Sequence, residues 1–314
     1  MRSKLTKWFW VIVVAASCCV HTWAKDQGSV LVYNLYASSA VSQPMPNTRI
    51  SITNTHETAG VAVHLFFVDG TTCLVTDAYL CLAAHQTSAF LASDVDPGVT
   101  GYVMAFATDA NGLPIAFDWL IGDEYVKLSS GHQASLSAEA ISVLSSPSFS
   151  LSADGALATV RFDGVGYEQL PRVLAIDSIA NLFDGNSTVL VFNHIGGSLA
   201  TRVSPVGTIF GLLYDDEESA YSFSVSGLNS CQLINTFSNV FPRFPALGFT
   251  LIVREGRTGW VKLWNNINAF SYFGAVLNRN NRAETTAFNG GHNLHKLRLN
   301  PITFIQIPIV PPRC

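Results

Sequence analysis

The sequence predicts an all-β protein, in which a cleaved signal peptide precedes two tandem, duplicated β-sandwich units. Three observations support this. A short apolar segment follows basic residues at the start, apolar and polar residues then alternate between turn signals, and short strand motifs recur in the two halves. The predicted division is 1–24 for the signal, 25–130 for the first unit, 131–165 for a serine-rich connecting segment, and 166–314 for the second unit with a C-terminal tail strand.

The predicted signal peptide has the three parts that export requires. Arg2, Lys4 and Lys7 precede an apolar run, Trp8–Val20, and small residues then lead to a cleavage position after Ala24. The apolar run is 13 residues long, whereas a membrane-spanning helix needs about 20. We therefore expect a protein that is secreted or held in the cell envelope.

A second processing route is open at the same end. The segment Ala15–Cys18 resembles a bacterial lipobox, although the leucine preferred in that motif is replaced by Ala15. Lipidation of Cys18 would tether the protein to a membrane instead of releasing it. A membrane partner is expected only in that case.

Composition limits the possible partners. Without the three basic residues of the signal, 15 Lys and Arg face 22 Asp and Glu, a net charge of −7. We expect no nucleic-acid partner, because such binding needs basic patches. Charged residues make up 13% of the chain, against about 25% in typical soluble domains. This low content indicates large sheet-on-sheet cores or apolar surface presented to a partner.

The cysteines of the mature chain indicate disulfides. Cys73, Cys81, Cys231 and Cys314 remain after signal removal, and an even number in an exported chain favours pairing. The preferred connectivity is Cys73 with Cys81 and Cys231 with Cys314. The other two connectivities and free buried thiols stay open. Zinc is not expected, because the chain has no CxxC pair.

Strand candidates are short β-branched or aromatic runs between Gly, Asn, Asp and Pro turns, a pattern typical of sandwiches or barrels. They are Val30–Tyr36, Thr48–Thr53, Val61–Val68, Thr87–Ala92, Gly101–Thr108, Ile115–Ile121, Ala158–Phe162, Val189–Asn193, Gly207–Tyr214, Ala220–Ser226, Gly248–Val253, Gly259–Asn265 and Thr303–Val310. Short helices are expected at Leu136–Leu144 and Val173–Leu182. The connecting segment is serine-rich but also apolar, so it predicts either a linker or a strand-and-loop cover.

Ordered sequence echoes indicate the duplication. The matched segments are Val30–Asn34 with Val189–Asn193, Val63–Asp69 with Ile209–Asp215, and Thr100–Val103 with Thr258–Val261. Each unit has about 100 residues, the usual size of an immunoglobulin-like module. The resemblance is to that architecture alone, because the Cys, Trp and Cys spacing of immunoglobulin domains is missing.

Motifs for catalysis are missing from the sequence: it has no GxSxG elbow, no GxxxxGK[ST] loop and no HExxH. Weaker candidates remain. His292 and His295 form an HxxH that could bind a metal, but their Asn- and Gly-rich surroundings favour a surface loop. Asp94 and Asp96 could serve Ca²⁺, although an Asp-initiated turn is the favoured interpretation. The sequence thus predicts no catalytic, cofactor-binding or metal-binding residue.

Three further features bear on ligands. The acidic run Asp215–Glu218 is interpreted as a solvated hairpin tip, and Asn186–Thr188 is a glycosylation sequon. Trp260 and Trp264 lie an even number of residues apart, so they share a face of one strand. We expect that face to pack into the core. If the face is exposed to solvent instead, the two tryptophans would form a carbohydrate platform.

The function predicted from these observations is non-enzymatic. We expect an extracellular or envelope protein for adhesion, structural support or ligand binding, with a glycan or a protein as partner and without a cofactor. The alternative is a secreted hydrolase that acts on a polysaccharide or an ester with residues on its loops.

Overall fold

The structure of the protein is a computed structural model that describes residues 26–39, 46–245, 247–267, 270–282 and 288–314. The predicted signal peptide, its cleavage after Ala24 and the alternative lipidation of Cys18 lie outside these ranges. Within them, the structure contains no helix with the length and apolarity that a membrane crossing requires.

The all-β prediction is confirmed, since strands hold 56% of the described residues and helices 3%. The strands of the first half are β1 (Val30–Ala37), β2 (Thr48–Asn54), β3 (Val61–Asp69), β4 (Val75–Leu82), β5 (Thr87–Leu91), β6 (Thr100–Thr108), β7 (Leu120–Lys127), β8 (Gln133–Ser137), β9 (Glu139–Ile141), β10 (Phe149–Leu151) and β11 (Leu157–Phe162). Those of the second half are β12 (Pro171–Ala180), β13 (Asn186–Ile195), β14 (Gly197–Ser198), β15 (Arg202–Val203), β16 (Gly207–Tyr214), β17 (Ala220–Gly227), β18 (Gln232–Thr236), β19 (Thr258–Trp264), β20 (Ser271–Asn280), β21 (Gly290–Asn293), β22 (His295–Leu299) and β23 (Thr303–Pro308).

Helices are limited to a 3-10 turn at Ala92–Asp94 and α1 (Phe249–Ile252) in the described ranges. Both predicted helices are wrong. Leu136–Leu144 covers the end of β8 and the whole of β9, and Val173–Leu182 lies largely in β12. Val173–Ile176 is buried on both faces of its strand, and a continuous apolar run of that kind cannot be told from a helix by periodicity. The serine-rich segment 131–165 carries β8 to β11.

Five sheets of four or five strands result. Their strand orders are β4-β3-β6-β1-β9 for sheet 1, β5-β2-β7-β8 for sheet 2, β10-β11-β23-β14-β15 for sheet 3, β18-β13-β20-β21 for sheet 4 and β17-β16-β19-β12-β22 for sheet 5. Most neighbours in a sheet are distant in sequence. The only parallel pair among the named strands is β14 with β23.

The sheets pack face against face in succession. One buried cluster joins sheet 3 to sheet 1, a second joins sheets 1 and 2, a third joins sheets 2 and 4, and a fourth joins sheets 4 and 5. The chain is thus arranged as a five-bladed β-propeller, and the prediction of two immunoglobulin-like sandwiches is wrong. Alternation in sequence shows that a face is buried but not which sheet covers it.

Strand β1 shows why some strands lack alternation. Leu31 and Tyr33 pack toward sheet 2, whereas Val30 and Val32 pack toward sheet 3. Both faces are therefore buried, and the segment is apolar almost throughout. Full burial of such side chains stabilises the fold by roughly 1.5–3 kcal/mol each.

Sheets 1 and 5 have corresponding strand orders, and so do sheets 2 and 4. In this correspondence β1 matches β12, β2 matches β13, and β3 to β9 match β16 to β22. The echo of Thr100–Val103 in Thr258–Val261 connects equivalent strands, β6 and β19. The echo of Val30–Asn34 in Val189–Asn193 connects β1 with β13, which are not equivalent, so that alignment is wrong by one strand.

A bulge recurs at equivalent points of the two sheets. The register between β1 and β6 shifts between Tyr33 and Tyr36, and that between β12 and β19 shifts between Ile176 and Ile179. A glycine follows each bulge on the partner strand, and a Cβ on the first of these, Gly101, would overlap the carbonyl of Val68. Bulges redirect side chains. The bulge in β12 places the Asp177 side chain on the protein surface.

The predicted disulfide connectivity is wrong. Cys81 on β4 is bonded to Cys314, with 5.7 Å between their Cα atoms. The C-terminal tail runs beside β4, where the Tyr79 hydroxyl donates to the Val310 carbonyl at 2.6 Å. Cys73 and Cys231, which were assigned to separate disulfides, are free and buried, and the Cys231 thiol donates to the Asp69 carbonyl at 3.1 Å. The prediction paired Cys73 with Cys81 because the two residues are close in sequence. The positive φ of Cys73 belongs to a turn that directs its side chain into the core.

Candidate functional site

The outer face of sheet 5 carries a row of aromatic side chains. On β19, Val261 and Leu263 point into the core between sheets 4 and 5. The alternate residues Trp260, Lys262 and Trp264 therefore point away from it. The favoured prediction, that the tryptophans face the core, is wrong, because the period of two assigns the core to the aliphatic residues between them.

Each tryptophan is stacked on an aromatic residue of β16. Trp260 lies opposite Tyr214, with ring centroids 4.3 Å apart and planes at 6°. Trp264 lies opposite Phe210, with centroids 6.4 Å apart and planes at 27°. Lys262 lies between the two pairs, with Nζ 5.9 Å from the Trp264 ring centroid. We call these two pairs the aromatic platform.

A cleft of about 780 Å³ is lined by strands of sheets 4 and 5. Thr258 lines it and lies two residues before Trp260 on the same face of β19. Its polar lining is rich in amides, and we call it the asparagine cleft. The asparagines are Asn186, Asn278, Asn280 and Asn289.

Strand register explains why the amides converge. Asn186 on β13 lies opposite Asn280 on β20, and Thr188 lies opposite Asn278. The Asn186 Oδ1 atom accepts from Asn278 Nδ2 at 3.1 Å and from Asn280 Nδ2 at 3.0 Å. Thr188 Oγ1 donates to Asn278 Oδ1 at 2.9 Å. Such cross-strand pairs fix the side chains in place.

Asp184, Arg282 and Phe288 complete the cleft. The Arg282 guanidinium donates to the Phe183 carbonyl, and Asp184 Oδ2 accepts from Asn181 Nδ2 at 2.6 Å. Phe288 is 77% exposed. The cleft therefore combines amide donors and acceptors, both signs of charge and an apolar ring. The asparagine of the predicted sequon, Asn186, is part of its lining.

A triad of ligand-capable side chains borders the cleft. Asp177, His292 and His295 are exposed, and one ligand atom of each lies within 4.8 Å of the others. His292 Nε2 is 3.4 Å from Asp177 Oδ1, and His295 Nε2 is 3.4 Å from Asp177 Oδ2. His292 also lines the asparagine cleft.

The turn from β21 to β22 brings the two histidines together. His292 belongs to sheet 4 and His295 to sheet 5. Leu294 between them is buried in the core of those two sheets, so it anchors the crossing. His295 pairs with Ala175 on β12, and the bulge two residues further along that strand presents Asp177.

The predicted HxxH residues are thus brought together with a carboxylate that sequence reasoning missed. The preference for a surface loop was wrong, because both histidines lie on strands. The signal for Asp177 was present as one acid within the apolar segment Val173–Ile179. Which histidines that acid would meet depends on the β12–β22 pairing.

The other acidic candidates accept hydrogen bonds from other residues of the fold. Asp94 Oδ2 accepts from the Leu91 backbone N–H at 3.0 Å, and Asp96 accepts from the Tyr36 hydroxyl at 2.5 Å. Asp215 Oδ1 accepts from the Ser219 backbone N–H at 2.8 Å, in the turn between β16 and β17. The Asp94 and Asp215 contacts agree with the turn interpretations, whereas the Asp96 contact joins two segments that are 60 residues apart.

Comparison with known proteins adds no family. No protein-family model matches the chain, and no curated protein sequence matches it either.

Proposed function

We propose that this chain is an exported, non-enzymatic binding protein that takes a glycan on the outer face of sheet 5. The observation that carries the proposal is the aromatic platform. Stacked aromatic pairs on the outer face of a sheet present apolar ring surface, and exposed apolar patches mark ligand-binding surfaces. The apolar faces of sugar rings match such surface in size and shape.

The asparagine cleft supplies the polar half of the recognition. Ligand sites combine apolar walls with a few fixed polar groups that set orientation. Asn278, Asn280 and Arg282 offer donors and acceptors beside Thr258, at the end of the same strand as Trp260. A glycan has hydroxyls for these groups and ring faces for the platform. The predicted signal peptide supports export to a compartment where glycans are exposed.

The test is a glycan-array screen of residues 25–314, followed by calorimetric titration of the best oligosaccharide. We expect Trp260→Ala to weaken binding by about tenfold or more, since truncation of a central tryptophan is usually costly at interfaces. Phe304→Ala is the matched control, because Phe304 is an exposed aromatic residue of sheet 3. Equal affinities for the two variants would contradict the proposal, as would an array without any binding.

A further inference from the structure

We propose that Asp177, His292 and His295 form a binding site for a divalent first-row transition-metal ion, with Zn²⁺ as the ion to test. The inference is independent of the proposed glycan binding. It depends on three side chains from three strands, β12, β21 and β22, whose ligand atoms converge on the protein surface.

The distances between ligand atoms suit such an ion. Zn²⁺ binds imidazole nitrogen and carboxylate oxygen at about 2.0–2.2 Å, so two ligands of a tetrahedral ion lie about 3.3–3.6 Å apart. The two distances from histidine Nε2 to carboxylate oxygen in the triad are both 3.4 Å. One nitrogen of each imidazole lies within 4.8 Å of the other. The two imidazole nitrogens would need to approach each other by at most about 1.5 Å to reach the ideal ligand separation.

The arrangement around the carboxylate places the ion centrally. His292 faces one oxygen of Asp177 and His295 faces the other. An ion between the two imidazoles therefore meets the carboxylate from either oxygen or from both. Leu294, buried between the histidines, holds the backbone from which both rings project, so the chain pays little conformational entropy for binding.

A second contact prepares His292 for coordination. Its Nδ1 atom lies 2.9 Å from the carbonyl oxygen of Asn293. With the Nδ1 proton donated to that carbonyl, Nε2 carries the free lone pair and faces Asp177. This is the usual outer contact of metal-binding histidines, and it fixes both the tautomer and the orientation of the ring.

The donor set decides the class of ion. Two imidazoles and one carboxylate suit Zn²⁺, Cu²⁺, Ni²⁺ or Fe²⁺, whereas Ca²⁺ and Mg²⁺ prefer sites made of oxygen atoms. Three protein ligands leave at least one coordination position open. The three side chains are between 45% and 58% exposed, so an ion can reach them directly from solvent. His292 lines the asparagine cleft, and the open position is available to a ligand held there.

The experiment is calorimetric titration of untagged residues 25–314 with ZnCl₂, with visible spectroscopy of the Co²⁺ form as a second readout. We expect one ion per chain, and Asp177→Asn and His295→Gln should each weaken binding by tenfold or more. His85→Gln is the control, because His85 is exposed elsewhere on the chain, and its affinity should equal that of the parent protein.

Two results would overturn the proposal. One is the lack of any saturable Zn²⁺ binding. The other is binding that persists unchanged in both triad variants, which would identify another site. Circular dichroism of each variant checks that it is folded. Because the titration contains no sugar, its outcome is separate from that of the glycan screen.

Discussion

The carboxylate of Glu124 on β7 lies buried against the bulge of β1, where its Oε1 atom accepts the backbone N–H of Leu35 at 3.1 Å. The bulge removes Leu35 from the ladder with β6, so its N–H needs another acceptor. Burial raises the pKa of Glu124 well above the usual range, although the backbone hydrogen bonds from Leu35 and Asn34 oppose the shift. The carboxyl group therefore serves as a structural acceptor.

We expect Glu124→Gln to change how stability depends on pH. An acid with a raised pKa in the folded state stabilises the fold only while it is protonated. Stability is thus lost as the pH rises through the unfolded pKa, about 4.3, toward the folded pKa. Glutamine keeps the acceptor and cannot ionise, so the variant should be more stable than the parent at pH 7. Urea unfolding at several pH values measures this, and a less stable Glu124→Gln variant would contradict it.

The matched variant Glu124→Ala isolates the hydrogen bond. It removes the acceptor and leaves the Leu35 N–H buried without a partner, at a cost of about 1–3 kcal/mol. We expect it to be the less stable of the two variants at every pH.

His194 should produce a pH dependence of the opposite sign. Burial lowers the pKa of His194 to about 4, against the hydrogen bond to the Ser204 carbonyl, which raises it. Its stabilising contribution is present above the unfolded pKa of about 6.5 and is lost as the pH falls toward 4. A shift of about 2.5 units corresponds to roughly 3 kcal/mol.

We expect His194→Gln to flatten the stability curve of the parent protein between pH 6.5 and 4. Urea unfolding at half-unit intervals gives the slope. His85→Gln, at an exposed histidine, should leave the slope unchanged. A His194→Gln curve that parallels the parent curve would show that the pKa of this imidazole is the same in the folded and unfolded states.

The buried thiols of Cys73 and Cys231 should form a second disulfide when the protein is exported. They belong to one buried cluster, and the interaction with the Cys231 thiol lowers the pKa of the Cys73 thiol. Oxidising compartments form and maintain such bonds, and thiolate character favours the reaction. Non-reducing peptide mapping should find Cys73 linked to Cys231 beside Cys81 linked to Cys314. Two alkylatable thiols after denaturation without reductant would show that the pair stays reduced.

The glycine opposite the first bulge should tolerate no side chain. A Cβ on Gly101 would overlap the Val68 carbonyl, and overpacking typically costs about 1–3 kcal/mol, occasionally more. We expect Gly101→Ala to lower the melting temperature markedly. Gly155→Ala is the control, because Gly155 has a positive φ but open space around its Cα, so only backbone strain of about 1 kcal/mol is expected. Equal losses for the two variants would refute steric overlap at Gly101.

Local patterns were sufficient for some of these features. The alternation in β19 showed that Trp260 and Trp264 share a face, and two of the three sequence echoes joined strands that prove equivalent. Sequence patterns gave wrong predictions for strands whose two faces are both buried. Both faces of β1 and β12 are covered. The apolar segment of β1 was therefore aligned with β13, which is equivalent to β2, and β12 was predicted to be a helix.

The sequence by itself determined the β class, the positions of most strands and the presence of an HxxH, because side-chain periodicity and turn residues act over a few positions. Only the tertiary structure decided that five sheets pack in succession, that Cys81 meets Cys314, and that Asp177 faces His292 and His295. Each of these depends on contacts between segments distant in sequence, where a one-residue change of register turns every side chain to the opposite face.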